Sequence, residues 1–288
     1  MSKPLFIWAG GKNKMLKHYS SLMPERVETY VEPFFGGGAM YIYIVKNYNP
    51  KNLYINDINS DIIRIYNSIK NNLDEFLIKL DVLSETYLPL DYEGRRSYFF
   101  DIRNQHAFDY ENWSPAEEAA TLYFLMKTGF NGVFQINQNT NNRYGTPAGL
   151  LNHKDKVYDL EVVKWWHCAL QKTNILSMDY KDCLSSIHDK EDTFIFLDPP
   201  YRGSFTSYGQ DFQDNEQEYL INFVKSAHKS LVFLCNRDVD DNFFEERLED
   251  LQLEKFPITY TAGRRKKTET GFEAKKATEI LIHNKFLL

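Results

Sequence analysis

Asp198, Pro199, Pro200 and Tyr201 follow directly on the apolar run TFIFL of residues 193–197. An acid at the tip of an apolar strand presents its carboxylate where the ladder of backbone pairing ends. Proline has no N–H and a fixed φ, so the pair Pro199-Pro200 stops regular pairing there. It also fixes the following carbonyl in one orientation and removes a competing donor. Tyr201 adds a ring face. A carboxylate acceptor, a carbonyl acceptor and an aromatic ring suit a planar ligand that carries an exocyclic NH₂. A random turn is the plainer reading of these four residues taken alone.

Three other stretches carry chemistry-bearing residues. VEPFFGGGAM (31–40) runs from a strand into Gly36-Gly37-Gly38 and then into a helix, a nucleotide-binding kind of turn because glycine lets a ligand approach the backbone closely. It is not GxGxxG, its acid (Glu32) comes before the glycines, and a tight turn without a ligand is the alternative. Asp57 ends the next strand, placed to accept hydrogen bonds from ribose hydroxyls or simply to cap a helix. IWAGGK (7–12) joins Trp8, two glycines and Lys12, against the alternative of a frayed end with a tucked tryptophan. Near the C-terminal end, Arg264, Arg265, Lys266, Lys267, Lys275 and Lys276 form a basic run that reads on its own as a solvated hairpin or loop.

The elements that must position these residues alternate. A strand over 27–35, the helix AMYIYIVKNY, the strand NLYINDIN and the helix SDIIRIYNSIKNN with Ser60 or Asn59 as its cap form a β-α-β-α beginning. Helical patterns follow in DEFLIKLDVLSETY, in SPAEEAATLYFLMKT with Ser114-Pro115 at its start, and in VYDLEVVKWWHCALQ. Strand signals return in TNILSMDY, TFIFLDPP, SLVFLCN and ATEILIHN. The pattern predicts an α/β fold with a doubly wound parallel sheet, formed by residues 1–69 and 175–288 and interrupted by a mainly helical insert over 70–174.

Composition bounds the rest. The 288 residues are 43% hydrophobic and 15% aromatic, a folded globular chain with room for a substantial core. Cys168, Cys183 and Cys235 are widely spaced, which argues against a disulfide framework or structural zinc and fits a reducing compartment. No signal-peptide core and no apolar run of about 18 residues is present, so a cytoplasmic protein without a membrane span is expected. The seven histidines form no HExxH-like spacing, no metal is expected, and His167 beside Trp165 and Trp166 reads as packing. A net charge of −6 argues mildly against a polyanion partner but says little about local fields.

With these residues in order, the chain resembles the Dam-type, D12-class (alpha-group) DNA adenine-N6 methyltransferases. The resemblance rests on WAGGK (8–12), VEPFFGGGA (31–39), DINSDIIRIYN (57–67), GFNGVF (129–134), DPPY (198–201) and KKATEILI (275–282), and it covers nearly the whole chain. It implies a Rossmann-like sheet with a target-recognition insert, S-adenosylmethionine as methyl donor, double-stranded DNA as partner, and a bacterial or phage setting in which restriction-modification is common. It assigns Trp8, Ala9, Gly10, Lys12, Glu32, Pro33, Phe34, Phe35, Gly36, Gly38, Asp57, Ile58 and Asp198 to the cofactor pocket. Asp198 and the Pro199 carbonyl would accept the two N6 hydrogens of the target adenine, next to Pro200, while Tyr201 stacks on a base rotated out of the duplex. Phe130 and Asn131 would fill or flank the vacated space. The loop 135–143, with Gln135, Asn137 and Arg143, would read base edges together with Pro147, and the basic run including Lys275 and Lys276 would meet phosphates.

Two residues depart from the GATC-specific pattern. Ile7 stands where those enzymes carry a guanine-reading lysine, and Gln135 where they carry an arginine. A bidentate base contact is worth about 1–3 kcal/mol of discrimination, so the target is expected to differ from strict GATC. The rivals are a cytosine-N4 methyltransferase, which more often has Ser in place of Asp198, an RNA or protein-amide methyltransferase, which more often has Asn there, and a catalytically silent DNA-binding protein on the same scaffold.

Overall fold

The structure, a computed structural model, describes residues 2–8, 10–203, 212–260, 266–268, 271–273 and 275–285; for residues 259, 260, 266–268, 271–273 and 275 it describes the backbone alone. In chain order the elements are α1 Leu16–Tyr19, β1 Thr29–Glu32, α2 Ala39–Asn47, β2 Asn52–Asn56, α3 Ser60–Asn71, α4 Leu73–Tyr87, α5 Tyr92–Phe108 and α6 Pro115–Thr128. The short strands β3 Ile136–Asn137 and β4 Arg143–Tyr144 come next, followed by α7 Leu160–Leu170, β5 Thr173–Leu176, α8 Tyr180–Ser185, β6 Thr193–Leu197 and α9 Asp214–Ser226. The chain continues with β7 Leu231–Arg237, β8 Gln252–Tyr260, β9 Lys266–Thr268, β10 Gly271–Glu273 and β11 Lys275–His283.

Seven strands form one sheet in the order β5-β2-β1-β6-β7-β11-β8. The first five pair in parallel and β11 runs antiparallel to both its neighbours. The period-2 alternation of side chains explains why both faces are apolar. Phe194 and Phe196 of β6 join Tyr30, Phe233 and Leu281 on one face, whereas Ile195 and Leu197 join Val31, Val232, Leu234 and Ile282 on the other. The first face's buried cluster runs without a break into α4, α5 and α6 through Phe76, Tyr87, Phe99 and Phe124.

Local signals set several helix starts. Asn59, not Ser60, caps α3, its side chain accepting from the Asp61 and Ile62 N–H groups. Ser114 and Glu117 form a reciprocal capping box at α6, with Pro115 in the first turn. Helices α5 and α9 and strand β8 were not expected from the pattern. In α5 only Phe99, Ile102, His106 and Ala107 are buried, too thin an apolar stripe among charged residues to mark a helix.

The order of strands reverses between β1 and β6. From β1 the chain moves outward to β2 and β5, then returns to β6 and moves the other way to β7. In open parallel sheets ligands bind outside the carboxyl ends of strands at such a switch point. Glu32 and Asp198 lie at those two strand ends.

Candidate active site

Every residue of β6 is buried, and Asp198 is the first residue beyond it. The turn that follows is fixed from behind. Gln217 of α9, fully buried, donates to the Pro200 carbonyl at 2.9 Å and accepts from Asn236 Nδ2 of β7 at 2.9 Å. Asn236 Oδ1 in turn accepts the Arg202 N–H at 3.1 Å. Two buried amides therefore lock the backbone on either side of Tyr201.

Lys12, only 3% exposed, lies against this turn. Its Nζ is 2.7 Å from Asp198 Oδ2, donates to the Gly10 carbonyl and lies 4.9 Å from the centre of the Tyr201 ring. The Tyr201 hydroxyl donates to Glu279 Oε2 of β11 at 3.0 Å. Burial alone would lower the pKa of Lys12, but the carboxylates of Asp198 and Glu279 outweigh it and hold the ammonium charged. Burial raises the pKa of Asp198, and Lys12 opposes that rise. Burial first, then the charges of Asp198 and Glu279, pushes Tyr201 well above its ordinary value, so it remains a neutral donor. Cys235 beneath the site meets the Tyr19 hydroxyl at 3.4 Å, and burial pushes its thiol up, away from nucleophilic chemistry.

Across the switch point the glycine turn is tightly held. Gly36 and Gly38 sit at φ +48° and +66°, a region that favours glycine. The Trp8 indole covers Gly36 so closely that a Cβ there would come within 2.4 Å of Nε1. Asp57 braces the turn, its carboxylate accepting the Gly36 and Asn59 N–H groups at 2.9 Å each. Burial, opposed by these donors, pushes its pKa up to about 6. Beside it, Ile58 is 53% exposed and the Phe34 ring packs on Tyr180 and Phe212.

Other residues of this group pack inward. Glu32 is buried, accepts from the Tyr30 hydroxyl at 2.7 Å, and is pushed by burial well above the usual carboxylate range. Phe35 is a core residue among Tyr41, Tyr66 and Trp166, and the Pro33 carbonyl accepts from Asn56 at 3.1 Å. These three shape the strand end from behind. Gly10 lies at φ +79°, and Ala9 lies outside the described residues.

The N-terminal segment joins this site to the second group of candidates. Ile7, 62% exposed, lies against Gly132, while Trp8 packs on Phe134 at 6.0 Å. Phe130 is half exposed and Asn131 adopts φ +53°. Gln135, Asn137 and Pro147 are exposed, the Asn137 side chain accepting from the Asn139 N–H and the Pro147 carbonyl from the Phe130 N–H, both at 2.8 Å. Arg143 corrects the sequence reading: its guanidinium turns inward onto Glu118 and Tyr110 instead of outward. Lys276 is exposed; Arg264 and Arg265 lie outside the described residues, and so do the side chains of Lys266, Lys267 and Lys275.

The strand-end acid, its buried lysine and the glycine turn coincide with the similarity of the whole sequence: a model of the D12 class N6 adenine-specific DNA methyltransferases matches residues 8–262. The chain belongs to this family. This methyltransferase is 29% identical over 265 residues to the type II methyltransferase M.MjaIII of Methanocaldococcus jannaschii, covering 88% of this chain and 90% of that one. It is 28% identical over 291 residues to M1.LlaDCHI of Lactococcus lactis subsp. cremoris, covering 98% and 95%. A DNA adenine methylase of Haemophilus influenzae shares 27% identity over 248 residues, covering 82% and 80%.

Several residues of the methyltransferase site escaped the sequence reading. Glu279 left a signal, an acid within the apolar run ATEILI, whereas Gln217 and Asn236 left none because their role depends on the packing of α9 on β7. Among the described residues no group of three His, Cys, Asp or Glu is arranged to hold a metal ion, and no helix is long and apolar enough to cross a membrane.

Proposed function

We propose that this DNA adenine-N6 methyltransferase acts on an adenine rotated out of double-stranded DNA, with S-adenosylmethionine bound at the carboxyl ends of β1 and β2. The observation that carries the reading is Asp198 at the tip of buried β6, held through Oδ2 by Lys12 beside the Tyr201 ring. The residues fit the donor: Asp57 keeps lone pairs beyond its bonds to backbone N–H groups for hydroxyls, and Ile58 and Phe34 offer apolar surface beside the glycine turn. When bound, S-adenosylmethionine supplies a sulfonium-linked methyl group that transfers to an amine and leaves a neutral thioether.

Asp198 Oδ1 and the Pro199 carbonyl accept the two N6 hydrogens, which turns the nitrogen lone pair toward the methyl group. Lys12 keeps the acceptor ionised, and Tyr201 stacks on the base. The new N–C bond leaves positive charge on N6, which Asp198 stabilises until one N6 proton passes to water. Positioning and electrostatics thus supply most of the help, and no strong base is needed. Residues 70–174 serve as the target-recognition insert, with 1–69 and 175–288 as the catalytic part. Phe130 and Asn131 flank the vacated space, Gln135, Asn137 and Pro147 face the groove, and the basic run meets phosphates. Ile7 and Gln135 give a target other than strict GATC, in a cytoplasmic setting.

The test incubates the purified protein with S-adenosylmethionine and mixed-sequence duplex DNA, then maps modified bases and weighs the digested nucleosides. N6-methyladenine in a context other than strict GATC is expected. N4-methylcytosine would overturn the assignment of the amine, and strict GATC modification the assignment of the target.

A further inference from the structure

The hairpin β3–β4 has strands of two residues each, too short to hold a shape alone. Yet it presents Gln135, Asn137, Gln138, Asn139, Asn141 and Asn142 to solvent, a tip made of amides. Its turn is closed by Thr140, whose hydroxyl lies 2.9 Å from the carbonyls of both Asn137 and Arg143. What fastens it to the helices is buried beneath. The Tyr144 hydroxyl donates to the Leu125 carbonyl of α6 at 3.1 Å. The Arg143 guanidinium lies 3.6 Å from the centre of the Tyr110 ring and donates to Glu118 Oε1 of α6. Its Nη2 also lies 3.3 Å from His106 Nε2 of α5. Glu118 Oε1 accepts in addition from Arg64 Nη1 of α3 at 3.0 Å. With side chains 12% exposed on both partners, the Arg143–Glu118 pair ties three helices to one edge of the hairpin.

We infer that Arg143 is a positioning residue for target recognition: it pins the amide-bearing hairpin to the helices, touches no DNA, and its loss relaxes which bases may flank the methylated adenine. An amide reads a base edge only when its oxygen and its NH₂ both arrive in register, whereas attraction to phosphates tolerates a loosened loop. The inference rests on the proposed function above, with the hairpin facing the groove.

Arg143→Gln, Glu118→Gln and the double variant are compared with wild type on a random-sequence duplex library. Three readouts are taken: the context of each N6-methyladenine, the salt dependence of DNA binding, and the melting temperature. The pin predicts that each single variant lowers the preference for the best site over single-mismatch sites by roughly tenfold, the size of one lost base contact. The double variant loses less than the sum of the two single losses, because both weaken the same pair. The slope of log affinity against log salt stays at its wild-type value in all three. A phosphate contact predicts the opposite pattern: a slope shallower by about one in Arg143→Gln and an unaltered site preference in Glu118→Gln. That pattern overturns the inference, and so does a lowered melting temperature with site preference intact. Should Arg143→Gln fail to fold, Glu118→Gln decides alone, since it removes the charge that holds the pin while keeping the arginine. Absence of N6-methyladenine from the wild-type reaction overturns the underlying function instead.

Discussion

Lys12 and Asp198 form an ion pair in which the lysine is buried and the carboxylate is partly exposed. One lysine answers two acids: it bonds Asp198 directly, while Glu279 adds charge from behind Tyr201. An ionised carboxylate is a stronger acceptor than a protonated carboxyl, and burial favours the protonated form of Asp198. Replacing Lys12 by Met leaves that burial unopposed and raises the carboxyl pKa further. A carboxylate-dependent rate is lost as pH falls through that pKa, so the acid limb of the kcat/KM profile moves to higher pH in Lys12→Met. An acid limb that stays in place or moves down would show that Lys12 does not tune Asp198. The sequence placed Asp198, the prolines and Tyr201 correctly at a strand tip, because a buried strand and a proline pair leave few other arrangements. It missed Glu279 and Gln217 because their partners lie 78 and 17 residues away and meet only in the folded sheet.

At the scale of elements, helix starts and the hairpin anchor carry the testable content. Ser114→Ala removes one side of the capping box of α6 and is expected to cost about 1 kcal/mol in denaturant unfolding. His106, fully buried between α5 and α6, has its pKa pushed down to about 3 by burial and then by the charges of Arg143 and Arg64. Because the unfolded imidazole titrates near 6.5, the unfolded state takes up the proton first. Stability is therefore complete above about pH 6.5 and is lost as pH falls toward 3. Melting temperatures measured from pH 7 to pH 5 should fall in the wild type and fall less in His106→Gln, which has nothing to protonate; equal slopes would remove His106 from the account. Elements with strong periodicity or caps, such as α3, α6 and β6, were legible from residues alone. Helix α5 and strand β8 were not: the first buries only a thin stripe, and the second, QLEKFPITY, breaks period-2 alternation with the adjacent charges Glu254 and Lys255 and holds a proline. The inward place of Arg143 was not legible for a related reason, since composition cannot tell an arginine that faces water from one stacked on Tyr110.

For the whole molecule, the N-terminal segment joins the end of β6 to the Gly132 turn. Within a few residues Ile7 touches the Gly132 turn, Trp8 covers the glycine turn at β1, and Lys12 holds Asp198. Trp166 of α7, fully buried and stacked on Tyr41, ties that segment down by donating to the Lys3 carbonyl at 2.9 Å. Ile7, Trp8 and Lys12 thus reach from the Gly132 turn to Asp198. The family follows from most of the chain, whereas exposed side chains such as Ile7 and Gln135, to which the proposed target is assigned, are dictated by no fold. The most direct test of the account is single-turnover methyl transfer from labelled S-adenosylmethionine to duplex DNA by wild type and Asp198→Ala, with circular dichroism and DNA binding as controls. The expected result is a loss on the order of a hundredfold or more, the size of one removed transition-state contact, with fold and DNA affinity retained. Transfer by Asp198→Ala at the wild-type rate would contradict it.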